Sequence, residues 1–155
     1  MKKLLALVIA GSALVACSSN KAPVEAPVAS APVAAPVASA PVVSNHNSVY
    51  FAFNKYDIKD DYAGVVKANG SYLAANAAAK VQVQGNTDDI GSVEYNLSLG
   101  QKRADAVKKA LIATGASKAQ VEATSNGKLK AKYANDTSEA RAMNRRADLT
   151  YKATQ

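Results

Sequence analysis

The chain contains no tryptophan, one histidine and one cysteine. A single cysteine, Cys17, excludes an internal disulfide, so any folded part must be held together by packing alone. One histidine beside one cysteine leaves no convincing set of transition-metal ligands, and no cofactor motif is present. Aromatic residues make up only 6 %, and the 48 % hydrophobic share is inflated by alanine. A chain of 155 residues therefore accommodates one domain with a small core. No apolar run reaches the roughly 20 residues that a helix needs to cross a bilayer. The longest, Leu4 to Ala16, spans thirteen.

That run follows Lys2 and Lys3 and closes on small residues, the pattern of a secretory signal peptide over residues 1–16. Leu14-Val15-Ala16-Cys17 resembles the lipobox of bacterial lipoproteins. The resemblance implies that Cys17 becomes the lipidated first residue of the mature chain, at the head of residues 17–21. It also implies that Ser18, in place of an aspartate, sends the chain to the outer membrane. Several acyl chains would hold it in the inner leaflet, because one chain alone binds only marginally. Without Lys2 and Lys3, 17 basic residues face 12 acidic ones, a charge of about +5 lying nearly all after Asn45. An anionic partner suits that excess. Nucleic acid does not, since an exported chain rarely meets it and no recognition motif for it is present; an acidic cell-wall polymer fits better.

All five prolines fall in residues 22–46, within "APVEAPVAS", "APVAAPVAS" and "APVVS". Prolines at every fourth or fifth position remove backbone donors and fix φ, which predicts an extended linker. At about 3.1 Å per residue its reach is on the order of 80 Å. Residues 47–152 then read as one folded domain. Alternation predicts strands over Val49–Phe53, Lys80–Gly85, Val121–Ser125 and Ala147–Tyr151. Helical spacing predicts a helix over Lys59–Asn76 and a second with the stripe Val93, Leu97, Gly100, Ala104, Val107 and Leu111, stopped by Gly115. Asp136-Thr137-Ser138-Glu139 opens a third, running through Asn144. The expected fold is an α+β sandwich, β-α-β-α-β-α-β, whose small mixed four-stranded sheet is covered by helices on one face.

Within "NTDDIGSVEYNLSLGQKRADAV", Asp88 precedes Arg103 by fifteen residues, and neither belongs to the apolar stripe. On the residues alone, the plainer reading makes Asp88 a helix cap and Arg103 part of a surface ion pair worth under about 1 kcal/mol. Catalysis finds little support. Asp88 and Asp89 are adjacent, so they cannot flank a glycosidic bond from opposite sides, and the formal Ser18-x-x-Lys21 lies beside the anchor, where no pocket would surround it. The chain reads as a binding module and not an enzyme.

"VYFAFNKYDI", "VQVQGNTDDIGSVEYNLSLGQKRADAVKKAL" and "ARAMNRRADLTY" together resemble the OmpA-like C-terminal domain family, over roughly Asn47 to Tyr151. The likeness is greatest to its lipid-anchored, peptidoglycan-binding members. It implies that Asp88 and Arg103 grip the diaminopimelate of the peptidoglycan stem peptide. That residue ends in an ammonium beside a carboxylate, which calls for an acceptor-only anion facing a fork of donors. Asn144 and Arg145 are implied near the groove, with Thr87, Asn96, Leu99 and the Phe51 to Lys55 edge as its walls. The implied role is an outer-membrane lipoprotein facing the periplasm and tethering that membrane to the wall without covalent chemistry. The alternative is a role built on contact with a periplasmic Tol protein during envelope constriction. This chain departs from the family pattern at Asn86, where histidine is usual, at Asn54, where aspartate is usual, and at Ser125-Asn126-Gly127-Lys128, where a Gly-Tyr-Gly type turn is usual.

Overall fold

The computed structural model describes residues 47–152; the expected signal peptide, Cys17 and the proline-rich tract lie outside the described residues. Four strands, β1 (Ser48–Tyr50), β2 (Lys80–Asn86), β3 (Val121–Gly127) and β4 (Arg146–Lys152), alternate with helices α1 (Ala63–Ala75), α2 (Val93–Ala113) and α3 (Ser138–Asn144). The sheet order is β1-β4-β2-β3. β2 and β3 run parallel, which demands a long crossover, and α2 is that crossover. β4 lies antiparallel between β1 and β2. The architecture is the α+β fold with a mixed four-stranded sheet that the alternation of patterns predicts.

Period-two alternation sends Val81 and Val83 of β2 into the core and leaves Gln82 and Gln84 on the other face. Val121 and Leu149 join them from β3 and β4, and Val66, Leu73, Val107 and Leu111 of α1 and α2 cover that face. Among the described residues every core residue lies between Val49 and Leu149, so this domain carries a core of its own. α2 begins at Ser92, whose side chain accepts from the Tyr95 N–H at 3.1 Å. It ends at Gly115, whose φ of 114° only glycine takes without strain. There Gly115 N–H donates to Ile112 and Ala116 N–H to Leu111, the paired bonds of a Schellman ending.

Two expectations need correction. The first strand stops at Tyr50 and does not reach Phe53. Phe51 still enters the core, but the chain then turns away, with Lys55 N–H donating to Ala52 O and Asn54 at φ 56°, so Phe53 is 57 % exposed. The stripe on α2 is also displaced. Val93 is 36 % exposed, while Asn96, Leu99 and Arg103 are buried alongside Gly100, Ala104, Val107 and Leu111. A count of apolar residues passes over this face because two of its inward positions are polar.

β2 and α2 touch backbone to backbone. A Cβ at Gly85 would lie 1.9 Å from the Gly100 carbonyl oxygen, and one at Gly100 would lie 2.3 Å from Ser125 Oγ. Gly85→Ala is therefore expected to lower stability by about 3 kcal/mol, the upper end for overpacking, since backbone cannot rotate aside. Gly64→Ala, which meets nothing within 4 Å at the start of α1, should raise stability by up to about 1 kcal/mol. Urea midpoints of the two variants check the contrast.

Candidate ligand-binding site

β2 delivers Asn86, Thr87 and Asp88 to one end of the sheet. Thr87 N–H donates to Gly127 O at 2.9 Å, prolonging the β2–β3 pairing past the register shift at Gly85 and Asn86. Thr87 Oγ1 donates to Asp88 O at 2.9 Å, so the backbone that aims Asp88 is held from both sides. Asp88 is 3 % exposed. Its Oδ2 accepts from Arg145 Nη1 at 3.2 Å, while Oδ1 has no partner among the described residues. Arg145 is fixed in turn, its Nε donating to Phe51 O and its own carbonyl accepting from Phe51 N–H at 2.8 Å.

Arg103 is wholly buried on the inward face of α2. Nε donates to Lys55 O at 2.9 Å, Nη1 to Asn86 O at 2.9 Å and Nη2 to Ala52 O at 3.3 Å. Its guanidinium lies 5.2 Å from the Phe51 ring centroid. One side chain thus pins the 52–55 turn to the end of β2. Its pKa is pushed down to about 10, first by burial, with Asp88 opposing and Arg145 adding repulsion. The group stays protonated at neutral pH, and two guanidiniums share one carboxylate. Because its value lies below that of the unfolded chain, this charge opposes folding at neutral pH, and the opposition fades as pH rises through about 10.

In front of this cluster lies a cavity of about 110 Å³. Asp88, Asn96 and Leu99 form its inner wall, and Phe53, Ile90 and Tyr95 its exposed apolar rim. Tyr95 OH donates to Asn54 Oδ1, joining the first turn of α2 to the 52–55 turn. Asn96 Nδ2 donates to the carbonyls of Ile90 and Ser92, each at 2.9 Å, and fixes the 90–92 turn. Its Oδ1 is buried without a partner among the described residues, a cost of roughly 1–3 kcal/mol that sites for ligands commonly carry.

Of the residues singled out from the sequence, Asp88, Asn96 and Leu99 share this cavity. Arg145 reaches it through Asp88, Thr87 underlies it and Arg103 stands behind it, its three bonded nitrogens turned to carbonyls and not to open space. Asn144 lies apart. Its Oδ1 accepts from Lys132 and Tyr133 N–H, and its Nδ2 donates to Tyr133 O and Asn135 Oδ1, so it fastens the 132–135 loop. Asn86 is buried between Gln84, Asn126 and Asp148. Phe53 and Asn54, on the Phe51 to Lys55 edge expected as a wall, line the cavity as well, whereas Ile90 and Tyr95 escaped sequence reasoning because single exposed apolar residues are common on any surface.

A profile of the OmpA family matches residues 50–145. Over 154 residues the chain is 40 % identical to the peptidoglycan-associated lipoprotein of Pasteurella multocida, covering 97 % of this chain and all of that one. It is 41 % identical to the protein of the same name from Haemophilus influenzae, covering 94 % and 95 %. The crystal structure of the peptidoglycan-associated lipoprotein from Burkholderia pseudomallei superposes with a TM-score of 0.67 at 44 % identity, covering 68 % of this chain and 90 % of that one.

Proposed function

The chain belongs to the OmpA family and, within it, to the peptidoglycan-associated lipoproteins, and from that membership we propose that its folded domain binds peptidoglycan and so ties the outer membrane to the wall without covalent chemistry. Residues 1–16 act as the signal peptide, 17–21 carry the lipid on Cys17, 22–46 span the gap and 47–152 bind. The mature protein sits in the inner leaflet of the outer membrane with its domain in the periplasm. The chemistry is binding, with no turnover of the wall.

The observation that carries the proposal is the open Asp88 Oδ1 at the back of a small cavity, with two guanidiniums behind it. A zwitterionic head fits that charge pattern. The ammonium of diaminopimelate donates to Asp88 Oδ1, and its carboxylate is drawn by the positive charge that one aspartate leaves uncompensated. Arg103 acts by holding the 52–55 turn and supplying this field; its bond to Ala52 O, the longest of the three, is the one a ligand carboxylate would replace. Thr87, Asn96, Leu99 and Arg145 shape and aim the inner wall, and Asn144 keeps the neighbouring loop in place. The exposed Phe53, Ile90 and Tyr95 also favour a second reading, a protein of the Tol type docking over the same face, since apolar rims serve protein contacts.

One substitution separates anchor from site. The Cys17→Ser chain is expected to leave the membrane fraction yet still sediment with purified peptidoglycan sacculi. Retention in outer membranes at the original level would refute lipid anchoring, and failure to sediment with sacculi would refute wall binding.

A further inference from the structure

The end of the sheet opposite Asp88 has a concavity of its own. Lys80 opens β2, Glu122 lies near the start of β3, Lys152 closes β4, and with Lys108 of α2 they line a groove of about 340 Å³. Lys152 Nζ pairs with Glu122 at 2.7 Å. Lys80 and Lys108 form no ion pair among the described residues, so three lysines against one glutamate leave the groove at about +2. Its cations are lysines, compact point charges on flexible stems without the planar fork that arginine offers a carboxylate. Phosphate oxygens, which accept from many directions, match such donors.

The strand directions say which way this groove faces. β4 is antiparallel to both β1 and β2; Ser48 lies opposite Asp148, and Leu149 N–H donates to Asn47 O. β1 therefore runs in the same direction as β2, from the Lys152 end of the sheet toward the Asp88 end, and begins level with Asp148. Asp88 follows the far end of β2, a strand of seven residues, or about 20 Å. We propose that this groove binds the phosphates of anionic phospholipid headgroups, so that the domain docks on the membrane to which it is tethered with its wall site turned away. The proposal rests on the lipoprotein reading for the identity of that membrane, but not on the wall site. Docking and wall binding use opposite ends, so they are compatible when the wall is near and compete through the tether when it is far.

The chain from Ala22 onward keeps the self-contained core and lacks both leader and lipid, so it reports the groove alone. It should co-sediment with phosphatidylcholine vesicles that contain phosphatidylglycerol and not with vesicles of phosphatidylcholine only. Lys80→Gln with Lys108→Gln should weaken that binding about 25-fold, at about fivefold per lysine near a charged surface. Lys130→Gln with Lys132→Gln, in the loop before α3, should change it less than about threefold. Equal losses in the two double variants would show diffuse charge attraction and overturn the groove, as would indifference to phosphatidylglycerol. Displacement by inorganic phosphate at constant ionic strength would make the groove a small-anion site and overturn membrane docking. Sacculus binding, measured on the same samples, should be unchanged by Lys80→Gln and Lys108→Gln; its absence from the unsubstituted chain would count against the wall site and leave the vesicle result standing.

Discussion

Arg103→Ala is expected to cost the domain about 3 kcal/mol, a large share of the roughly 5–15 kcal/mol that stabilises a domain of this kind. The substitution takes the donors from the carbonyls of Lys55, Asn86 and Ala52, and each buried acceptor left unpaired costs roughly 1–3 kcal/mol. It also strips packing from the Phe51 ring. Relief from burying a guanidinium whose pKa is pushed down to about 10 offsets part of that loss, as does water reaching the 52–55 turn. Arg103→Lys keeps a charge but cannot reach three carbonyls from one nitrogen, and should fall between the two. Urea unfolding followed by far-UV circular dichroism measures both. A loss below about 0.5 kcal/mol for Arg103→Ala would mean that the guanidinium does not pin the turn to the sheet.

Asp88→Asn should have the larger effect on the ligand. The shape is kept, but the amide is a weaker acceptor than the carboxylate, and the pair with Arg145 is lost. Removing one side of a buried charge pair costs roughly 2–5 kcal/mol, so affinity for an ammonium-bearing stem peptide should fall by about 30-fold or more. Stability should fall as well, because Arg103 and Arg145 are then like charges without a counterion. That loss should be about 2 kcal/mol, below the usual value for a broken buried pair because the Arg145 side chain keeps 16 % exposure. Calorimetry on samples shown to be folded separates the two effects. Unchanged affinity with lowered stability would make Asp88 a structural partner of Arg145 and nothing more.

The elements were legible because their patterns are simple: Val81 and Val83 alternate with glutamines, and the spacing of Gly100, Ala104, Val107 and Leu111 marks one face of a helix. The insertion of β4 between β1 and β2 was not, since no local pattern states which strand pairs with which. Asp88 and Arg103 stood out as charges near an apolar segment, but their burial did not, because a periodicity of apolar residues treats an arginine as outward-facing. The pairing of Asp88 with Arg145 spans 57 positions and depends on the turn of the chain after Phe51. Asn144 illustrates the same limit from the other side. The resemblance implies a place near the groove for it, and nothing in the sequence states that its side chain bonds to the 132–135 loop.

Wall binding through a zwitterionic head is tested most directly by calorimetry of the chain from Ala22 onward with two stem peptides, one carrying diaminopimelate and one carrying lysine at the same position. On the proposed reading both would offer an ammonium to Asp88 Oδ1, but only diaminopimelate would add a carboxylate for the excess positive charge of Arg103 and Arg145. The diaminopimelate peptide should bind about 30-fold more tightly or better. Equal affinities would contradict the account and leave the Asp88, Arg145 and Arg103 cluster as a device of folding.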